Sequence, residues 1–107
     1  MAVAFSRFLE LNATARLRLL TDLAFDATID GRGSYLPMSD EVENGAALRR
    51  VNEFVHRMVS LMQHVLHDLP NTETYAEAVW NDQIQPWADK RPGKLEAMIE
   101  KVAASRA

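Results

Sequence analysis

The sequence predicts an all-α protein: a mainly antiparallel four-helix bundle, with a long ordered loop between the first long helix and the central one. Three observations carry this expectation. Apolar residues recur at three- and four-residue spacing along nearly the whole chain. Glycine and proline fall between the periodic stretches, where helices start and stop. One stretch, Ala46 to Leu69, keeps an almost unbroken seven-residue pattern.

Taken in order, Ser6 to Leu11 reads as a short leading turn, and Asn12 is a good N-cap for the helix that follows. That helix runs from about Ala13 to Asp30, with Leu17, Leu20, Ala24 and Ala27 on one face and Leu23 beside them. Gly31 and Gly33 stop it, because glycine takes the left-handed conformation a helix C-terminus often needs. A connector from Gly31 to Gly45 follows, with Tyr35, Leu36, Met38 and Val42 as apolar anchors. Connectors of this length are uncommon in compact domains and often carry function.

The central helix repeats Leu48, Val55, Met62 and Leu69 at one heptad position and Val51, Met58 and Val65 at the other. Phe54, Val59, Leu61 and Leu66 broaden the stripe, which suits a helix packed on several neighbours rather than a two-stranded coiled coil. Its opposite face is polar and carries all three histidines, His56, His64 and His67. Leu69-Pro70 ends it. Asn71 or Thr72 starts a third helix through Tyr75, Ala78, Val79 and Ile84, limited by Pro86, with Trp87 folding back onto the core. After an Arg91-Pro92-Gly93 turn, a last helix from Lys94 to Ala104 presents Leu95, Met98, Ile99 and Val102.

The 107 residues fit a single domain, residues 1–107, and a chain of this size buries roughly two thirds of its unfolded surface. Hydrophobic residues make up 48% and charged residues 25%, a globular composition. The net charge of -3 comes without a basic patch, so binding to nucleic acid through phosphates is not expected. The absence of cysteine excludes disulfides, thiolate metal sites and a cysteine nucleophile. Arg7 and Glu10 interrupt the apolar start before it reaches the length of a signal-peptide core, and no run approaches a membrane span. A cytoplasmic protein without a membrane partner is the expectation, and no cofactor is expected because no phosphate-cradling loop or nucleophile elbow is present.

Several constellations on the helices could carry chemistry. Glu53-Phe54-Val55-His56 has the Glu-x-x-His spacing of di-iron bundles, but those sites need two such motifs turned inward, and this one stands alone on the polar face. Its plainer reading is a surface ladder with Arg57 four residues after Glu53. His64 and His67 have a spacing that holds transition metals, yet two ligands are too few for a closed site. Arg49 and Arg50 with Glu53 and His56 offer charge stabilisation, orientation and proton transfer for phosphoester chemistry.

Asp22, Asp26 and Asp30 form a like-charged ladder approaching a helix C-terminus, where repulsion and the macrodipole both disfavour it. Arg18 can relieve Asp22; Arg32, Arg49 or Arg57 can serve the others. An ion-pair network is the ordinary outcome. Asn52 is the one polar residue on an apolar flank, so burial would force it to find partners. Any pocket is therefore expected where Asp26, Arg32, Tyr35 and Asn52 meet.

Arg50, the five residues after it and His56 resemble the Arg-x4-6-His motif of the HEPN superfamily of small helical proteins. The resemblance covers seven residues and departs in that Asn52 does not directly follow Arg50 and that the motif lies mid-chain. It implies a homodimer in which the paired motifs cleave RNA. Against that stands the leading expectation, a homodimeric protein-protein interaction or regulatory module without catalysis. It rests on the width of the central apolar stripe, part of which a bundle this small leaves uncovered.

Overall fold

The computed structural model describes residues 3–33 and 41–105, without the side chains of residues 3, 30–33, 41–44, 46 and 47. Every regular element among the described residues is helical: α1 (Val3–Glu10), α2 (Ala13–Gly33), α3 (Glu41–Leu66), α4 (Thr72–Val79), a π-helical turn (Trp80–Ile84), α5 (Gln85–Asp89) and α6 (Lys94–Ala104). Helix α4, the π turn and α5 run on without a break, so these elements form five helical rods, one more than the four expected. The long axis of 44 Å is close to the length of α3, whose 26 residues span about 39 Å at 1.5 Å per residue.

The added rod is α1, where the sequence predicted a single turn. Ala4 and Phe8, one turn apart, are both buried, and Phe8 and Phe5 enclose Trp80 at ring-centroid distances of 5.2 and 5.4 Å. Eight residues do not hold a helix in water alone; burial of this aromatic face does. Arg16 then ties α1 to α2. Its guanidinium donates to the carbonyls of Leu9 and Leu11 and lies over the Phe8 ring, while Asn12 Oδ1 accepts from Ala15 N–H as an N-cap.

Helices α2 and α3 pack side by side and antiparallel: Thr21 meets Met62, while Ala27 borders the same groove as Phe54 and Arg50. Helix α6 packs along α2 and α1, and α4 packs against α3. The connector between α2 and α3 is shorter than expected, because α2 continues through Gly33 and α3 begins at Glu41. The anticipated ordered loop, including Tyr35, otherwise lies outside the described residues.

The buried line on α3 is Phe54, Met58, Leu61 and Val65. The heptad reading placed the seam at Leu48, Val55, Met62 and Leu69 with Val51, Met58 and Val65. The helix is therefore turned from that expectation toward residues taken for flanks. Leu48 and Leu69 are exposed, and Val51, Val55 and Met62 are only half-buried. Bulk decides the phase: sinking Phe54 and Leu61 contributes about 2 kcal/mol each, more than Val51 or Val55 would. Helix α2 shows a similar turn, with Leu19 fully buried and Leu17 and Ala24 at the margin.

Pro86 does not end the third rod. A proline ring clashes with the carbonyl four residues back and supplies no donor. Here the π turn widens the helix just before it, with Gln85 N–H reaching Trp80 O, five residues back, and the rod continues to Asp89. Trp87 is consequently carried into the core beside Phe54, at a centroid distance of 5.9 Å.

Candidate functional site

The apolar residues that α3 turns out of the core define the candidate site. Leu48, Val59 and Leu66 are 48%, 43% and 61% exposed, and their spacing of 11 and 7 residues puts them on one face of the helix. Val55 and Met62 adjoin that face on the side of α2. Across the seam, α2 presents Phe25 and Ile29, 68% and 51% exposed and four residues apart. The Thr21–Met62 contact, with Thr21 Oγ1 3.3 Å from Met62 Sδ, fixes the antiparallel register and brings Phe25 alongside the Val55–Val59 turn. Both outward stripes thus belong to the packed α2–α3 pair, each turned away from the buried line of its own helix. Phe25 and Ile29 also wall a groove of ≈240 Å³ against Met98 and Lys101 of α6, with Asp22 and Asp26 at its edge.

Phe25 and Ile29 were missed by the sequence reading. Their signal was present: an apolar i, i+4 pair opposite the buried face of α2, which a helix with a single buried stripe does not need.

The residues singled out from sequence divide among separate surfaces. Arg49, Glu53 and His56 are exposed on α3, and among the described residues no hydrogen bond or ion pair joins them to one another or to Arg50. Arg50 lines a different groove, beside Trp87. Six residues of helix separate the directions of Arg50 and His56 by about 120°.

Asp26 faces α6 rather than α3, and its cation is Lys94, Nζ to Oδ2 3.1 Å, not Arg49 or Arg57. The side chains of Asp30 and Arg32, and all of Tyr35, lie outside the described residues. Asn52 is exposed, so it is not the buried amide expected, and it does not meet Asp26. The rotation of α3 that buries Phe54 is what carries Asn52 to solvent.

The histidines separate as well. His56 and His67 are exposed, the latter with Nε2 3.2 Å from Gln63 Oε1. His64 is half-buried, contrary to its expected place on the wet face. Its ring stacks on Tyr75 at 4.3 Å, and Nδ1 lies 2.9 Å from the Ser60 carbonyl oxygen. Tyr75 donates its hydroxyl to Ser60 Oγ at 2.9 Å. Hydrogen bonding to Tyr75 also holds the Arg57 guanidinium above its ordinary range, with minor help from Asp82 and Glu53. This polar seam fastens α4 to α3. Among the described residues, no three His, Asp or Glu side chains gather as a metal site, and no helix is long and apolar enough to cross a membrane.

No family model matches the chain, and neither the curated proteins nor the solved structures yield a match, so the reading of this site rests on its own geometry.

Proposed function

We propose that this protein is a self-associating interaction module whose α2–α3 outer face pairs with the same face of a second copy. The observation that carries the reading is that two helices packed side by side leave five large apolar side chains, Phe25, Ile29, Leu48, Val59 and Leu66, exposed. Large apolar side chains gathered on one part of a surface mark interaction sites, whereas singly scattered ones do not.

The area suits a second copy. At their fractional exposures the five side chains offer roughly 500 Å² per protomer, so a symmetric pair covers about 1,000 Å² before any polar rim is counted, and specific interfaces begin near 1,200 Å². A two-fold axis parallel to the helices lays α2 of each copy over α3 of the other. That arrangement turns Asp22, on the α6 side of the face, toward the edge of the partner's helix that carries His56 and Gln63, a complementary rim. No catalytic group is needed for such a module.

The alternative, a phosphoester-acting enzyme built on Arg49, Arg50, Glu53 and His56, draws less support, since Arg50 and His56 diverge on one helix. Sedimentation equilibrium tests the main reading. Wild-type protein is expected to dimerise, and Phe25→Lys with Val59→Lys to leave a folded monomer of unchanged melting temperature at low concentration. A wild-type protein that stays monomeric up to about 1 mM has a pairing energy weaker than about 4 kcal/mol, which overturns it.

A further inference from the structure

Only Leu11 and Asn12 separate α1 from α2, and the chain bends at Leu11. We propose that this corner is a hinge through which two copies of the chain exchange α1, each α1 packing on the other copy's Trp80. The inference does not rest on the α2–α3 face, and its test is made with that face disabled.

The bend is not imposed by the backbone. Neither glycine nor proline occurs between Val3 and Asp30, and alanine, leucine and arginine, all good helix formers, dominate residues 13–20. A single straight helix from Val3 to Gly33 is therefore open to this sequence. Side chains hold the corner instead. Asn12 Oδ1 accepts from Ala15 N–H at 2.8 Å. Arg16 donates from Nη2 to the Leu9 carbonyl at 2.7 Å and from Nε to the Leu11 carbonyl at 3.0 Å. These bonds satisfy helix-end groups that a straight helix would satisfy through its own ladder. Both shapes thus meet the hydrogen-bonding demand of the corner.

Burial decides where α1 goes. Phe5 and Phe8 lie 5.4 and 5.2 Å from the Trp80 ring, and Phe8 is buried. Straightening in a lone molecule lifts both rings off Trp80 and forfeits their burial, so the lone molecule stays bent. In a pair of copies, each straightened α1 meets the same indole, and Arg7 meets the same Glu100, on its neighbour. The contacts of α1 are then kept, and only the corner and the entropy of association separate the two states. A second copy is the occupant because its α1 carries the Phe5, Phe8 and Arg7 that this surface already accepts.

The chain has no cysteine, so single introduced thiols report the exchange directly. Arg7 and Glu100 touch across α1 and α6, Nη2 to Oε2 2.6 Å. Arg7→Cys is made in one preparation and Glu100→Cys in another, both in the full-length Phe25→Lys, Val59→Lys chain, so that the α2–α3 face cannot bring copies together. The two are mixed at about 1 mM, warmed to just below the melting temperature to open α1, cooled, diluted and treated with a short bismaleimide. A covalent pair containing one chain of each kind is expected. Asn12→Ala removes a cap at both hinges and is expected to tighten the pair about 30-fold. Ala13→Pro is expected to abolish it, because proline is tolerated at the exposed first position of α2 but breaks a helix running straight through. No mixed product at about 1 mM, or one equally abundant in the folded Ala13→Pro variant, overturns the proposal. So does a product that Asn12→Ala diminishes. Pairing through the α2–α3 face stands or falls separately, on whether the chain without these lysines dimerises.

Discussion

Lys94, the first residue of α6, grips Asp26 in the middle of α2, its Nζ lying 3.1 Å from one carboxylate oxygen and 3.2 Å from the other. The contact spans 68 positions of sequence and joins the first long helix to the last. It also resolves the acidic ladder of α2, since a cation from α6 relieves the middle rung.

Because both partners keep contact with solvent, Asp26→Asn is expected to lower stability by no more than about 1 kcal/mol, and less in high salt. Urea denaturation at low and high ionic strength measures this. A salt-independent loss above about 2 kcal/mol would mean that the pair does more than dock α6.

Phe8 and Trp80 hold α1 against the rest of the fold. Phe8→Ala is expected to cost about 3–5 kcal/mol, enough to release α1 from the fold. A double-mutant cycle with Trp80→Leu is expected to give a coupling of about 1 kcal/mol, the part specific to the tilted rings. Additive effects would reduce the contact to simple burial.

Tyr75→Phe removes the hydroxyl bonded to Ser60 while keeping the ring that stacks on His64. The expected loss is about 1 kcal/mol, the net value of one partly buried hydrogen bond. The same loss in a Ser60→Ala background would show that the hydroxyl pair is not its source.

Two left-handed backbone positions respond in opposite directions. Gly93 precedes α6 with φ 81°, and a Cβ there meets nothing within 4 Å, so Gly93→Ala is expected to cost about 1 kcal/mol from backbone strain alone. Asp68, with φ 50°, ends α3 in a Schellman arrangement in which Leu69 N–H donates to the His64 carbonyl. Asp68→Gly relaxes that backbone and is expected to raise the melting temperature slightly. A rise in the first variant or a fall in the second, read by thermal denaturation, contradicts this account.

Much of the fold was legible in the chain. Helical periodicity, the Asn12 cap and the Pro92-Gly93 turn located element boundaries, because each acts within a few residues, whereas α3 stops at Leu66, before the expected end at Leu69-Pro70, where Asp68 turns left-handed. Pro86 misled for a related reason. Its local penalty is real, but the π turn that absorbs it is set by the aromatic packing of Trp80 and Trp87 on opposite sides of the break.

The candidate surfaces were less legible. Trp87, Lys90 and Arg91 are close together in the sequence, whereas Arg50, which lines the same groove, lies 37 positions before Trp87 and nothing local connects them. Asn52 and Asp26 were expected to meet because both sat at odds with their surroundings. In the fold one is turned to water and the other to α6.

By itself the sequence determined an all-helical chain, where its long helices lie, and that α3 carries more apolar side chains than one packing face can use. Only the tertiary structure decided which of them are buried. A heptad pattern fixes spacing along a helix but leaves its rotation free, and that rotation is set by the volumes of Phe54, Met58, Leu61 and Trp87 packing together. The residues displaced by that choice, Leu48, Val59 and Leu66, became the exposed face.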